Sequence, residues 1–415
     1  MQTYSYVAGW CVEPVSRRAA LLIRWAMHRR LFLQTAISLP LLGVPVFARA
    51  EPADFWQRVF NNMPPMLAAM ARNPEYRVQI LAQYRKKGAR HWQKSSWQLT
   101  PDRWFSTASV AKFPMALLAC EKIAELGLGL DARIGFSQAP IGGEWPDTEP
   151  DIEVFARTLN RIFTISENPP FNRLYDFLGV DAMQARLSAL GYPSARMISR
   201  MSAPVIDNAR TRAGQVQDSR GRVVSEFPER TGIIPSSALA ETRTGRGFLS
   251  NDGALIEGPH DFSRSNYIAL ADSQQMLKAL IDPESVPLAQ RWAIPEPMRR
   301  ELLQIMARMP RQSTDPVYDT AEYYDGYARF FMIGDSKADK PESLHLIGKS
   351  GEAYGFLTDV SHITEAGSAM ELLLSANVYV NADGVFNDDV YEYETLGYPF
   401  LAALGRAVWT TVSAL

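Results

Sequence analysis

The sequence predicts an α+β fold in which both chain ends form one antiparallel sheet and an all-helical lobe is inserted between them. Strand-like runs occur early, at 76–84 and 91–99, and again late, at 343–348, 355–363 and 370–380. Much of the chain between them shows helical periodicity instead. Because strands and helices do not alternate as in a βαβ series, we expect the two ends to share one sheet.

The early elements follow from spacing and turn residues. Residues 52–72 carry apolar side chains at helical intervals, which predicts a helix interrupted near Pro64-Pro65. Lys86-Lys87-Gly88 separates the first two strand-like runs and predicts a hairpin connection. After a loop, residues 109–126 place their apolar side chains on one stripe and end before Gly127, which predicts a second helix.

The same helical spacing recurs three times before the late strands and once after them. These predicted helical segments are 151–192, 267–280, 295–307 and 392–412. Residues 207–264 differ in composition, because they are rich in Arg, Gly, Ser and Thr and show little periodicity. We interpret this stretch as a long insertion of loops with one hairpin around Arg222–Ile234.

The N-terminal residues 1–50 resemble a leader with a twin-arginine export signal. Arg29-Arg30 is followed by Leu31-Phe32 and by a moderately apolar run that is too short to span a bilayer. Ala48-Arg49-Ala50 then supplies small residues at the two positions that a signal peptidase inspects. We expect cleavage after Ala50, with the twin-arginine machinery exporting a folded protein to the periplasm or the medium.

Met27 begins a complete signal by itself, so the sequence leaves open whether translation starts at Met1 or Met27. Residues 51–415 are predicted to form one domain that includes the insertion. Residues 1–50 contain six Arg and one acidic residue, and the rest of the chain is therefore acidic. An acidic body argues against nucleic acid as the main partner, since phosphate binding needs clustered cations.

The sequence gives no indication of a metal, a cofactor or a disulfide. Five His residues show no paired spacing, and Cys11 and Cys120 are not close enough to form a CxxC motif. Neither a Gly-x-Ser-x-Gly nucleophile elbow nor a phosphate-binding glycine loop occurs. We therefore predict no cofactor. The oligomeric state is left open.

Ser109-Val110-Ala111-Lys112 is the one Ser-x-x-Lys tetrapeptide in the chain. Residues three apart on a helix lie on the same side, so the lysine can share a proton with the hydroxyl. A serine hydroxyl needs such a base to attack a carbonyl, and lysine can serve if burial lowers its pKa. A nucleophile at the start of a helix also directs its own N–H toward a developing oxyanion.

Residues 105–118 around this motif resemble the nucleophile helix of class A β-lactamases and penicillin-binding proteins. The family's second motif, Ser-Asp-Asn, is matched by Ser166-Glu167-Asn168, and its third, Lys-Thr/Ser-Gly, by Lys349-Ser350-Gly351. The three motifs occur in the family's order, and the resemblance covers about 52–412 apart from the insertion. It implies a β-lactamase/transpeptidase-like fold and an exported serine hydrolase whose substrate is a small-molecule amide or peptide.

The resemblance also implies a role for each matched residue. Ser109 would form the acyl-enzyme, Lys112 would take its proton, and Ser166 would pass a proton to the leaving group. Asn168 would hydrogen-bond Lys112 or the substrate, while the substrate-binding strand would contribute the remaining site residues. These are Lys349 and Ser350 for a substrate carboxylate, Gly351, and Glu352, whose N–H would complete an oxyanion hole with that of Ser109.

Two departures from the family bear on turnover and specificity. Class A β-lactamases clear the acyl-enzyme with a glutamate in a Glu-x-x-Leu-Asn run after the second motif. The corresponding region, 200–208, has no such glutamate, and Asp207 is its nearest carboxylate. The family's carboxylate-binding arginine on the next strand is also replaced, by Leu357 in our alignment.

Three functions stay open at this point. The first is a β-lactamase-like hydrolase of β-lactams. The second is a serine amidase, esterase or penicillin-binding relative that acts on cell-wall peptide with little β-lactam turnover, which the missing glutamate favours. The third is a non-catalytic scaffold that retains the fold. The intact Ser109, Lys112, Ser166 and Lys349 favour the first two.

Overall fold

The computed structural model describes residues 53–141, 151–202, 207–237, 239–250 and 252–415. The predicted leader and its cleavage position after Ala50 lie outside the described residues and stay predictions. Residues 51–415 form one unit. Within the described residues, no helix has the length and apolar character needed to cross a membrane.

The described residues contain nine α-helices. They are α1 (Ala53–Asn61), α2 (Pro65–Met70), α3 (Lys112–Glu125), α4 (Phe155–Thr164), α5 (Asn168–Leu178), α6 (Val180–Ala189), α7 (Leu270–Ile281), α8 (Glu296–Ala307) and α9 (Tyr398–Ser413). A 3₁₀ turn at Ala108–Ala111 precedes α3, and a π-helix at Tyr393–Gly397 precedes α9. The predicted helices at both chain ends and in the lobe are therefore present.

Sixteen strands occur in the same part of the chain, many of them only two or three residues long. They are β1 (Gln79–Lys86), β2 (Gln93–Trp97), β3 (Arg133–Phe136), β4 (Ile152–Val154), β5 (Arg210–Thr211), β6 (Gly214–Gln217), β7 (Val223–Phe227), β8 (Arg230–Thr231), β9 (Arg243–Thr244), β10 (Gly247–Leu249), β11 (Leu255–Glu257), β12 (His260–Asp261), β13 (Leu344–Ala353), β14 (Phe356–Glu365), β15 (Met370–Tyr379) and β16 (Val385–Phe386).

The central sheet has the strand order β13-β14-β15-β1-β2 and is antiparallel throughout. The early strand β1 pairs with the last long strand β15, in the register Gln79 opposite Asn377. Both ends of the chain therefore share one sheet, and the α+β prediction is confirmed. The helices α3 to α6 follow between the early and the late strands.

Successive side chains of β15 point into two different apolar cores, one on each face of the sheet, because side chains alternate between faces along a strand. Leu372 and Leu374 pack with α1 and α9 on one face of the sheet, whereas Leu373 packs with the helical lobe on the other. All three side chains are fully buried. The active-site motifs come from the second face, where the sheet meets the lobe.

The insertion contains more strand than we predicted, and the predicted hairpin is displaced. The hairpin pairs β6 with β7 across a turn closed by Asp218, whose carboxylate accepts the N–H groups of Arg220 and Arg222 at 3.1 and 2.9 Å. The prediction of a hairpin at 222–234 was therefore wrong. After residue 227 the chain leaves β7, and Arg230-Thr231 pairs with β5 instead.

Local backbone chemistry accounts for the start and end of α3. Pro114 has no N–H to donate to the carbonyl of Val110, which favours the tighter 3₁₀ turn at 108–111 over a regular first α-helical turn. Ser109 therefore lies in a 3₁₀ turn and not in the α-helix that the sequence predicted for it. The helix ends before Gly127, which adopts φ +71°.

Candidate active site

Ser109 lies where the 3₁₀ turn meets the strand that carries the third motif. A Cβ atom built on Gly351 of β13 would come within 2.4 Å of the amide nitrogen of Ser109. Only glycine permits the two backbones to approach this closely. Ala108, directly before the serine, adopts φ +43°, a strained conformation of the kind that clusters at functional sites.

Lys112 follows Ser109 by one turn and is completely buried. Its Nζ donates to the carbonyl oxygen of Ser166, to the Ser166 hydroxyl at 3.2 Å and to Asn168 Oδ1 at 2.6 Å. Burial lowers the pKa of Lys112 to about 7, although the negative charge of nearby Glu167 opposes this shift. A substantial neutral fraction at pH 7 gives this lysine the capacity to accept a proton.

Ser166 is held between the two lysines. Lys349 Nζ donates to Ser166 Oγ at 2.8 Å, and Lys112 Nζ donates to the same oxygen at 3.2 Å. The serine adopts φ +66°, just before α5 begins with Asn168 and a Pro-Pro pair. The hydrogen bonds therefore form a continuous chain from Lys112 through the Ser166 hydroxyl to Lys349.

Lys349 is buried on β13, and its Nζ also donates to the carbonyl of Ser350 at 2.6 Å. Burial lowers its pKa well below the ordinary lysine value, and the positive charges of Lys112 and Arg329 lower it further. Ser350 is itself 2% exposed and lies opposite Asp359 in the sheet register. Its predicted contact with a substrate carboxylate stays a prediction.

Asn168 hydrogen-bonds both Lys112 and Ser202. Its Nδ2 donates to Ser202 Oγ at 2.7 Å while its Oδ1 accepts from Lys112. One turn further along α5, Asn172 exchanges two hydrogen bonds with the backbone of Met201, at 2.8 and 2.9 Å. One helix thus orients both Lys112 and residues 201–202.

Glu167, the residue that replaces the family's aspartate, points away from this chain of groups. Arg161 donates to its Oε2 through two nitrogens, at 2.9 and 2.6 Å, and Tyr318 donates to its Oε1 at 2.8 Å. Arg161 also pairs with the buried Glu153. Glu167 therefore fixes the backbone of the second motif to a neighbouring loop.

A pocket of about 230 Å³ opens beside Ser109. Two walls of this pocket are formed by the 3₁₀ turn that carries Ser109 and by the end of β13. The others are formed by residues of the lobe and by Ser265 and Asn266, which directly follow the insertion. Its lining residues are Ser106, Thr107, Ala108, Ser109, Asn168, Ser199, Arg200, Met201, Ser202, Ser265, Asn266, Glu352, Ala353 and Tyr354. Glu352 thus lines the pocket as predicted for a substrate-binding residue, and its side chain is exposed.

The wall at 199–202 is held by buried polar side chains. Asn266 accepts the N–H groups of Ile198 and Ser199 at 2.8 and 2.9 Å. Arg200 donates to Asp176, which Arg212 of the insertion also contacts at 2.7 Å. Asp176 is 1% exposed, so this wall rests on a charged group that two arginines neutralise.

The described part of this wall supplies no carboxylate to the pocket. Asp207, the nearest acidic residue in the sequence, is exposed and accepts hydrogen bonds from the amides of Ala209 and Arg210. Leu357, which we aligned to the family's carboxylate-binding arginine, is fully buried under Gly397. Both departures seen in the sequence therefore persist in the fold.

Sequence reasoning missed two buried charged residues behind Lys349. Arg329 donates to the carbonyls of Phe163 and Met306 at 3.1 and 2.6 Å, and burial lowers its pKa to about 10. Asp359 accepts the N–H groups of Phe330 and Phe331 at 2.9 and 3.1 Å, and burial raises its pKa. A charged residue within an otherwise apolar strand pattern was the available signal for Asp359.

The insertion reaches the pocket through aromatic side chains. Phe262 stacks on Trp104 at 4.4 Å between ring centroids and meets the edge of Tyr354 at 5.1 Å. His260, also from the insertion, stacks on Phe248 at 4.1 Å. Through Phe262 the insertion therefore supports the pocket residue Tyr354.

Comparisons with known proteins agree with this geometry. The sequence model of the β-lactamase enzyme family matches residues 68–373. A β-lactamase structure from Xanthomonas campestris is similar at 15% identity and a TM-score of 0.50, covering 85% of this chain and 98% of its own. PBP-A is similar at 15% identity and a TM-score of 0.48, covering 88% and 97%. No curated protein matches.

Proposed function

The chain belongs to the β-lactamase enzyme family, and we propose that it is an exported serine hydrolase that forms an acyl-enzyme on Ser109. The observation that carries the proposal is the state of Lys112. This lysine is fully buried, has a pKa lowered to about 7 and lies one turn from Ser109. Such a lysine accepts the serine proton without a histidine.

The proton path follows the hydrogen-bond chain. Neutral Lys112 takes the proton from Ser109 as the Oγ–C bond to the substrate carbonyl forms. The Ser166 hydroxyl then donates its proton to the leaving nitrogen or oxygen as the scissile bond breaks. Protonated Lys112 returns a proton to Ser166 through their 3.2 Å hydrogen bond, and Lys349 stabilises the Ser166 oxygen from 2.8 Å. The result is an acyl ester on Ser109. The leaving group departs from a linear amide or ester, whereas in a β-lactam the released amine stays attached to the acyl group.

A β-lactam or a related cyclic or peptide amide is the substrate class that the resemblance supports. The test is the intact mass of the purified protein over time after mixing with a penicillin, beside Ser109→Ala. We expect an increase equal to the mass of one penicillin in the wild type and none in the variant. Labelling that survives Ser109→Ala would refute the assignment of the nucleophile.

A second candidate is a penicillin-binding relative or a cell-wall peptide amidase with little β-lactam turnover. It is favoured by the lack of a carboxylate in the described wall at 199–202, since water needs a base to clear an acyl ester. In the same mass experiment, an adduct that persists for hours supports this second candidate. An adduct that decays within minutes supports the β-lactamase.

The leader prediction belongs to this proposal. Export through the twin-arginine machinery would deliver a folded enzyme to the periplasm or the medium. N-terminal sequencing of the exported protein is expected to begin at Glu51, and Arg29→Lys with Arg30→Lys is expected to retain the protein in the cytoplasm. A mature N-terminus upstream of Arg49 would contradict the predicted cleavage.

A further inference from the structure

The charges that face the pocket differ from those that an anionic substrate needs. Among the lining residues, Arg200 and Glu352 are the two with basic or acidic side chains. Desolvation raises the pKa of Glu352, whereas the hydrogen bond from Tyr398 and the positive charge of Lys349 lower it. Arg200 is buried and donates to Asp176 and to the carbonyl of Arg210 at 2.7 Å. Glu352 is exposed and therefore sets the charge that a ligand meets at this end of the pocket.

One tyrosine contacts the Glu352 carboxylate, and two further tyrosines lie close enough to be influenced by its charge. The Tyr398 hydroxyl donates to Glu352 Oε2, and Glu352 together with burial raises the pKa of Tyr398, so the hydroxyl stays protonated. The charge of Glu352 also raises the pKa values of Tyr324 and Tyr327, for which burial is the larger cause. These two rings come from the loop between α8 and β13 and meet edge to face at 6.3 Å.

The other charged groups here do not reverse this sign. Glu394, at the start of the C-terminal helical segment, is exposed and adds negative charge beside Glu352. Lys337 lies over the Tyr324 ring at 5.6 Å, and the buried Lys349 is engaged with Ser166. Ring faces next to a carboxylate are the recognition chemistry of ammonium groups, to which the ring quadrupole and the negative charge both contribute.

The sheet register explains how this end of the pocket came to be acidic. Glu352 is the direct cross-strand partner of Leu357, so both side chains project from the same face of the sheet. An arginine at 357 would have brought a cation to Glu352, but the leucine is buried instead. On the side where the resemblance implies carboxylate binding, the strand therefore presents a carboxylate that is hydrogen-bonded to the neutral Tyr398 hydroxyl and not paired with an arginine at 357.

We propose that Glu352, with Tyr324, Tyr327 and Tyr398, forms a cation-selective subsite, so that substrates with an ammonium group on the leaving-group side acylate Ser109 in preference to anionic ones. This inference rests on the proposed function and deepens it by naming the charge of the substrate. It implies that the natural substrate is an amide or ester with a positively charged leaving portion.

The test uses three thioesters that share one acyl group and differ only in the leaving thiol. The thiol is thiocholine, which is cationic, its uncharged dimethylbutyl analogue, or 3-mercaptopropionate, which is anionic. Thiol release by the full-length protein gives kcat/KM for each. We expect the thiocholine ester to exceed the anionic ester by at least about tenfold, in keeping with cation–π and ion-pair strengths.

Three variants assign the preference to the subsite. Glu352→Gln is expected to reduce the cationic-to-anionic ratio about tenfold, and Glu352→Lys to reverse it. Tyr327→Phe keeps the ring and is expected to keep the ratio, whereas Tyr327→Ala lowers it. Glu226→Gln, an exposed carboxylate on β7, is the matched control and leaves the ratio unchanged.

The outcomes separate this inference from the proposed function. Equal kcat/KM values for all three esters, unaltered by Glu352→Gln, would overturn the subsite while leaving the nucleophile in place. Should no ester react, the proposed function fails, and binding of the thiocholine ester to Ser109→Ala is measured by calorimetry. Binding that weakens on adding Glu352→Gln then still supports the subsite, and binding that does not weaken overturns it.

Discussion

Gly351 and Ser109 lie in backbone contact, because a Cβ on the glycine would stand 2.4 Å from the serine amide nitrogen and 2.9 Å from its Cα. The atoms that such a Cβ would meet belong to the main chain of Ser109 and Val110, so no change of side-chain rotamer could make room for it. The third motif therefore needs its glycine to bring β13 against the backbone of Ser109. This contact ties Ser109 to the central sheet as well as to its own helix.

Gly351→Ala is expected to displace β13 from Ser109 and to slow acylation about a hundredfold, since misplacement by about 1 Å has effects of that order. The measurement is the rate of adduct formation by mass spectrometry. Gly129→Ala is the matched control, because its Cβ would meet only the end of the Asp131 side chain, at 2.9 Å. An unchanged acylation rate in Gly351→Ala would show that the close approach is not required.

The acylation rate is expected to rise with pH and to level off above about pH 7. Burial lowers the pKa of Lys112 from the ordinary 10.5 to about 7, so the neutral, proton-accepting form predominates only above that pH. The measurement is the pH profile of single-turnover acylation. Lys112→Ala is expected to remove this rise together with most of the rate. A wild-type profile that rises only near pH 10 would mean that the lysine is charged in the free enzyme.

Asp176→Ala is expected to reduce the free energy of unfolding by about 3–5 kcal/mol, because it leaves two buried guanidinium groups unpaired. Arg200 and Arg212 both contact this carboxylate, and all three side chains are nearly inaccessible. Denaturant unfolding measures the loss. Glu229→Ala, which breaks an exposed pair with Arg210, is expected to leave the unfolding midpoint nearly unchanged. Equal effects of the two variants would contradict the role given to Asp176.

Phe262→Ala is expected to destabilise the protein by about 3–5 kcal/mol, as removal of a buried aromatic ring usually does. The Phe262 ring is 2% exposed and stacks on Trp104. Because it also contacts Tyr354, the variant should raise KM more than Phe262→Leu, which retains much of the volume. Thermal unfolding and thioester kinetics together check this. A fold and a KM that tolerate the alanine would mean that the insertion is peripheral.

The sequence was sufficient to predict the sheet and the main motifs because long periodic segments and short ordered motifs carry strong local signals. Ser109, Lys112, Ser166 and Lys349 are brought together by contacts between α3, the start of α5 and β13. The strands within 207–264 were missed for the opposite reason. Pairs such as β5 with β8 contain only two residues each, and their ladders are set by tertiary packing.

Residues behind the site were also missed, because their roles depend on partners far away in the chain. Tyr318 contacts Glu167 across 151 residues, and Arg329 contacts Phe163 across 166. No short pattern links such positions. For Leu357 the sequence alignment predicted the position along the strand but not the surroundings of the side chain. Only the sheet register shows that Leu357 is the cross-strand partner of Glu352 and lies in the core.

The pairing of β1 with β15 has a consequence for synthesis of the protein. Asn377 donates to the carbonyl of Arg77 across 300 residues, and the strands around them form the middle of the sheet. A ribosome that has released the first strand must translate nearly the whole remaining chain before its partner emerges. Contacts this distant in sequence slow folding, and until they form the apolar faces of β1 and α1 lack their native cover. We therefore expect the nascent chain to depend on chaperones until its last strand and helix have been made.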